Sequence, residues 1–78
     1  MNAKINDWIK IEEPHRSASY TEAHVYGITD NGNLRIAYGS KNQDSFFWLY
    51  MGGNQTVSPK FVSEIWRKNE KHEWIKAN

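Results

Sequence analysis

The side chains that most often do chemistry are present in this sequence, but their spacing matches no catalytic or metal-binding motif. The three histidines, His15, His24 and His72, do not follow a metal-ligand spacing, and the chain has no cysteine. Nucleophilic catalysis needs a serine, a histidine and a carboxylate beside an oxyanion hole, and no Gly-x-Ser-x-Gly segment marks a nucleophile elbow. The sequence therefore predicts no enzyme, no metal site and no cofactor.

Two further pairs of residues are poor candidates for a chemical site. Glu12 and Glu13 are sequence neighbours, and on a strand they point to opposite faces, so they make a poor acid–base pair. Gly52-Gly53 is followed by Asn54, whereas a phosphate-binding Walker A loop has a lysine after its last glycine. We interpret the glycine pair as a flexible connection and expect no small-molecule substrate.

Recognition by aromatic and basic side chains is the chemistry that the sequence favours. The chain has four Trp, four Tyr and three Phe. Trp, Tyr and Arg dominate the energetics of protein interfaces, and aromatic side chains on a sheet can also stack nucleic-acid bases. The predicted partner-binding residues are Tyr26, Arg35, Trp48, Tyr50, Arg67 and Lys68. A protein partner, or a second copy in a homodimer, is the first interpretation, and a nucleic acid is the alternative.

The charge distribution bears on that choice of partner. The net charge is only +1, which is low for a nucleic-acid-binding domain. Residues 1–30 hold three basic against five acidic residues, and residues 59–78 hold five basic against three acidic residues. The basic C-terminal third is therefore the segment on which a nucleic-acid interpretation would depend.

The aromatic segment at residues 46–51, Phe-Phe-Trp-Leu-Tyr-Met, predicts the central strand of the fold. A strand would place Phe46, Trp48 and Tyr50 on one face and the other three side chains on the opposite face. A strand with one solvated face would alternate apolar with polar residues, so this segment indicates a strand that is covered on both sides. Other parts of the chain, or a partner, must supply that cover.

Residues 22–38 predict a β-hairpin. Asn31-Gly32 is the preferred pair for a two-residue type I′ turn, because both of its positions need positive φ. That turn would place Ile28 opposite Arg35 and Val25 opposite Tyr38, whereas a longer loop would shift the register by one and exchange the faces. Gly27 either makes room for a bulky neighbour or marks a bulge.

The remaining elements complete an α+β prediction. Residues 8–11 predict a short first strand with Trp8 and Lys10 on one face, and residues 74–76 predict a final strand or an extended tail. Ser58-Pro59 predicts the start of a helix at about residues 59–70, with an apolar stripe that would lie on the sheet. The stripe consists of Phe61, Val62, Ile65 and Trp66. The expected fold is an antiparallel sheet of four to five strands with this helix packed on it, and a small SH3-like barrel is the alternative.

Size and hydropathy predict one small cytoplasmic domain over residues 1–78. The chain has a mass of 9.2 kDa, and a domain of this size buries about 60% of the surface that its unfolded chain exposes. The absence of cysteine fits a reducing compartment. No apolar stretch approaches the roughly 20 residues that span a bilayer, and the N-terminus lacks a signal-peptide core. We therefore expect no membrane association.

Several aromatic motifs together resemble a small uncharacterised domain family of phages and prophages. The matching segments are Trp8-Ile9-Lys10-Ile11 with Pro14, Val25-Tyr26, Asp30-Asn31-Gly32 with Ile36-Ala37-Tyr38, Phe47-Trp48 and His72-Glu73-Trp74. Family members open Trp-Ile-x-Val and close near a His-Trp. The proline-rich ending that is usual in the family is missing here, and the segment from Ser58 to Glu70 looks inserted. The resemblance implies a phage accessory protein that binds and modulates a host or defence protein, and it carries over no catalytic residue.

Overall fold

Six antiparallel strands form one sheet in the computed structural model, which describes residues 2–12, 22–41 and 55–78. In chain order the strands are β1 Trp8–Ile11, β2 Glu22–Ile28, β3 Leu34–Tyr38, β4 Thr56–Val57, β5 Val62–Lys68 and β6 Trp74–Lys76. Their order across the sheet is β4-β3-β2-β1-β5-β6, and all neighbouring strands are antiparallel. The N-terminal strand β1 is thus an interior strand, and β4 and β6 are the edges of the described sheet.

The predicted α+β fold is wrong. The described residues contain no α-helix, and they form six strands where four to five were expected. The alternative of a closed SH3-like barrel is wrong as well, because the sheet of the described residues is open, with β4 and β6 at its edges. The aromatic segment at residues 46–51, predicted as the central strand, lies outside the described residues, and β2 and β1 take the middle of the described sheet.

A single turn of 3₁₀-helix, Pro59–Phe61, stands where the helix at about residues 59–70 was expected. The proline does occupy the start of a helical turn, as the sequence suggested. The Ser58 side chain, however, makes no capping hydrogen bond, and Val62 already has extended backbone angles (φ −84°, ψ 120°). The turn therefore passes directly into β5.

The position of β5 in the sheet explains why its apolar residues also fit a helical period. Ile65 is 3% exposed on one face of the sheet, and Trp66 packs on the opposite face. A strand covered on both faces can carry apolar residues at consecutive positions, and such a run also fits a helical period. Val62 and Ile65 are β-branched, and β-branched and aromatic residues favour strands once a neighbouring strand is available. That neighbour is β1, which is more than 50 residues away in the sequence.

The predicted hairpin of residues 22–38 is confirmed as β2 and β3, but its predicted register is wrong. The Thr29 N–H donates to the Asn33 carbonyl at 2.8 Å, so the loop has three residues and ends on Gly32 at φ +87°. Beyond the loop, Ile28 pairs with Leu34, and the register shifts again at a bulge between Val25 and Gly27. Gly27 therefore marks a bulge, which was one of the two roles expected for it.

The two faces of the sheet have different chemistry. One face carries an aliphatic cluster with Ile9, Val25 and Ile36 each at most 1% exposed. The other face, which we call the aromatic face, gathers three tryptophans, a tyrosine, a histidine and an alanine. Its members are Trp8, His24, Tyr26, Ala37, Trp66 and Trp74. The alternation predicted for β1 is confirmed, since Trp8 belongs to the aromatic face and Ile9 to the aliphatic cluster.

An ion pair between a buried carboxylate and a partly exposed guanidinium links the N-terminal segment to β5. Asp7 is 1% exposed, and its carboxylate accepts hydrogen bonds from Arg67 Nε at 2.8 Å and from Arg67 Nη2 at 2.7 Å. The Lys4 backbone N–H also donates to Asp7 Oδ2 at 2.7 Å. This hydrogen bonding raises the pKa of Arg67 above its ordinary value. A two-pronged contact of this kind fixes geometry as well as charge.

Replacing Asp7 by Asn should destabilise the fold, because one of the two buried oxygens that accept from Arg67 and from the Lys4 backbone N–H becomes an NH2 group, which cannot accept. We expect a loss of about 2–3 kcal/mol, which is a large share of the stability of so small a domain. Urea denaturation followed by tryptophan fluorescence measures the loss. Lys10→Gln is the matched control, because Lys10 and Glu64 form an exposed pair at 3.9 Å and its removal should barely move the midpoint. An unchanged midpoint for Asp7→Asn would show that the Asp7–Arg67 pair contributes nothing to stability.

Candidate binding face

The Trp8–Trp66 pair forms the centre of the aromatic face. Trp8 in β1 lies directly opposite Trp66 in β5. The two ring centroids are 6.4 Å apart, and the ring planes meet at 69° in an edge-to-face arrangement. Aromatic pairs prefer this geometry, because the positive ring edge meets the negative ring face.

Both indole N–H groups of this pair donate to oxygen atoms. Trp66 Nε1 donates to Glu64 Oε1 at 2.9 Å, and Trp8 Nε1 donates to the Gly39 carbonyl at 3.4 Å. The hydrogen bond from Trp66 is the main reason that the pKa of Glu64 lies below its ordinary value, and the nearby lysines add to the effect. Glu64 is therefore an anion at neutral pH, held against the edge of the ring.

A lysine ammonium lies over the faces of both rings. Lys41 Nζ is 3.9 Å from the centroid of Trp66 and 4.9 Å from that of Trp8, and both distances are within cation–π range. The three side chains border a cavity of about 340 Å³. Its full lining is Trp8, Lys10, Glu22, Ser40, Lys41, Glu64 and Trp66.

A second, larger groove of about 510 Å³ lies beside Trp74 on the same face. The rings of Trp74 and His24 meet edge to face with centroids 5.6 Å apart, and Lys68 Nζ is 5.1 Å from the Trp74 centroid. Tyr26 and His72 also line this groove. The groove thus combines aromatic surface with the ammonium of Lys68.

The pKa of His24 is lowered to about 4. Burial is the main cause, because His24 is 8% exposed and its charged form would lose hydration. The nearby ammonium of Lys68 lowers the pKa further, and a hydrogen bond with the Ser40 backbone opposes the shift. His24 is therefore neutral at pH 7 and behaves as part of the aromatic face.

The structure brings together two of the predicted partner-binding residues, Tyr26 and Lys68, at the larger groove. Arg35 is exposed beside Gly27 at the hairpin. Arg67 is held by Asp7 on the other side of β5, away from the aromatic face. Trp48 and Tyr50 lie outside the described residues, so their binding role stays a prediction.

Sequence reasoning missed the three tryptophans that define this face. The sequence pattern places Trp66 on a helical stripe and indicates only a strand position for Trp8 and Trp74. A usable signal was present, because Trp8-Ile9-Lys10 and Trp74-Ile75-Lys76 repeat the same alternation of faces. The two segments do not pair with each other; each pairs with β5 from opposite sides, which places all three tryptophans on one face.

Within residues 2–12, 22–41 and 55–78, no three histidine or carboxylate side chains come together to hold a metal ion. No described helix has the length and apolar character needed to cross a bilayer.

Comparison with known proteins gives no family to which the chain can be assigned. No protein-family model matches the sequence, and no curated protein or solved structure matches the chain.

Acidification should weaken the fold through His24. Below pH 6.5 the unfolded chain protonates this side chain, whereas the folded chain does so only near pH 4, so stability falls as the pH drops through this window. Between pH 7.5 and pH 5 the loss from this group should be about 2 kcal/mol. Urea denaturation at the two pH values measures it, and His24→Gln should show a smaller loss than the wild type.

His72→Gln is the matched control for this experiment, since His72 is exposed. Its pH dependence should equal that of the wild type. If His24→Gln loses as much stability on acidification as the wild type, burial of a neutral imidazole is not the cause.

Proposed function

We propose that this chain is a small non-enzymatic binding module that holds a protein partner against its aromatic face. One observation carries the proposal: Tyr26, Trp66 and Trp74 are half-buried on one face of the sheet rather than enclosed in a core. Large aromatic side chains that are anchored but still accessible are typical of interface hot spots, because they bury much area at low entropic cost.

The charges on this face favour a protein over a polyanion. Glu22 and Glu64 lie among Lys10 and Lys41 around the smaller cavity, so both signs alternate there. The phosphates of a nucleic acid that crossed this area would be repelled by the carboxylates. A protein surface can instead place basic groups opposite the glutamates and acidic groups opposite the lysines.

We include in this proposal a biological role, which is that of an accessory protein acting on another protein. The resemblance to a phage domain family supports an accessory protein that binds and modulates a host or defence protein. Self-association is the other form of protein binding that the fold favours. The edge strand β6 has one neighbour in the described sheet, and Ile75 on it is 50% exposed.

Replacing Trp74 by Ala should weaken partner binding at least tenfold, because hot-spot aromatics each contribute about 2 kcal/mol or more. Affinity capture from a lysate of the native host, quantified by mass spectrometry, identifies the partner, and titration with that partner gives the loss. Ile28→Ala is the matched control, since it removes an exposed apolar side chain at the β2–β3 hairpin that lines neither cavity of the aromatic face. Equal affinity of the Trp74→Ala and wild-type proteins would contradict the proposal.

Nucleic-acid binding is a second candidate, which the larger groove favours. Lys68 lies beside Trp74, Tyr26 and His24 there, and a cation beside aromatic rings is the arrangement that holds single strands. This candidate predicts a gel shift with a single-stranded oligonucleotide that falls steeply between low and moderate salt, and that is lost in Lys68→Gln. Absence of any shift at low salt would exclude it and leave the protein partner.

A further inference from the structure

We propose that the Trp8–Trp66 pair is an ammonium-binding site that receives a lysine side chain of the protein partner, and that Lys41 is its resident internal cation. The inference deepens the proposed function and rests on it, because the site opens on the face that we assign to partner binding.

The position of Lys41 supports this assignment most directly. Its Nζ lies over two rings at once, 3.9 Å from one centroid and 4.9 Å from the other. Because the rings are inclined at 69°, a cation in the angle between them lies over the negative faces of both, closer to Trp66 than to Trp8. The space between the two rings thus already holds an ammonium group, which is the group that we expect the partner to supply.

The surroundings of the rings strengthen their attraction for a cation. Each indole N–H donates to an oxygen, Trp66 to the Glu64 carboxylate and Trp8 to the Gly39 carbonyl. A donor that is polarised by its acceptor leaves more electron density on its own ring. The Glu64 carboxylate itself is close enough to the cavity to attract an ammonium group.

The net charge of the residues that line the cavity changes from zero to −1 when Lys41 leaves. With Lys41 present, two lysines face two glutamates around it. Without it, Lys10 remains against Glu22 and Glu64, and the cavity carries a net charge of −1. Its volume of about 340 Å³ is at the lower end of the range of ligand sites, which suits a single side-chain head group.

Lys41 is placed so that it can be displaced. It lies three residues beyond the end of β3 at Tyr38, outside the sheet, and it is half-buried. A tethered cation competes with an incoming one at its own effective concentration, which is in the millimolar range for a short flexible tether. Removal of this competitor should therefore raise the affinity for an added ammonium ligand.

The decisive experiment titrates the full chain and its Lys41→Gln variant with N-acetyl-trimethyllysine methylamide, with N-acetyl-lysine methylamide and with tetramethylammonium chloride. The readout is the indole N–H signals in ¹⁵N-labelled protein, with sodium chloride matched throughout. We expect saturable shifts of the Trp8 and Trp66 signals, and an affinity about five- to tenfold higher in Lys41→Gln than in the wild type.

Three controls separate cation binding from general contact with an aromatic surface. Lys68→Gln removes the lysine over Trp74 and should leave the affinity unchanged. Glu64→Gln keeps the shape of the site and both tryptophans and should weaken binding severalfold. A neutral analogue with a tert-butyl group in place of trimethylammonium should bind much more weakly.

Several outcomes would overturn the assignment. Absence of saturable Trp8 and Trp66 shifts in Lys41→Gln excludes the site, and equal binding of the neutral analogue excludes cation recognition. Binding of tetramethylammonium without either lysine derivative excludes lysine as the source of the ammonium.

The failure of this site is distinguishable from the failure of the proposed function. If the derivatives do not bind while partner binding still depends on Trp74, the ammonium site is wrong and the binding face remains. If the lysine derivatives bind but the Trp74→Ala variant binds the partner as tightly as the wild type does, the ammonium site is supported and the proposed binding face is wrong.

Discussion

The pairing of β1 with β5 is the interaction on which the rest of the molecule depends. One register places Trp8 opposite Trp66 and Lys10 opposite Glu64. The residue before β1, Asp7, then meets Arg67 of the same partner strand. The Trp8–Trp66 pair, the Lys10–Glu64 pair and the Asp7–Arg67 pair are therefore consequences of one strand alignment. A slip of one residue would move every one of these side chains to the wrong face.

Local features were predicted well from the sequence. β1 has the predicted bounds, and the β2–β3 hairpin lies at the predicted position, because alternation and turn chemistry are properties of neighbouring residues. The register of the hairpin was not predictable in the same way. The loop of three residues and the bulge at Tyr26 each change the pairing by one, and no nearby residue specifies their combination.

The error at β5 has a different origin. A proline after a serine and an apolar stripe favour a helix when the segment is considered alone. The strand forms because β1 pairs with this segment, which buries Ile65 on one face of the sheet and packs Trp66 on the other. Tertiary pairing of this kind overrides local propensity, and a single sequence contains no record of which distant strand will provide it. For the same reason the candidate site could not be predicted, because its three tryptophans come from the separate strands β1, β5 and β6.

A small open sheet with tryptophans on an accessible face must keep those rings from associating without specificity, and lysines do this in two different ways. Lys68 lies opposite Trp74 within the β5–β6 hairpin, so its ammonium is fixed over the ring by the strand register. Lys41 reaches Trp66 from beyond the end of β3, and no strand pairing holds it there. Both ammonium groups keep the ring faces partly covered by a hydrated charge, which discourages apolar association. Only the second can leave without disturbing the sheet, and for that reason the Trp8–Trp66 pair, rather than Trp74, is the place where a cation from another molecule can be exchanged for one from this chain.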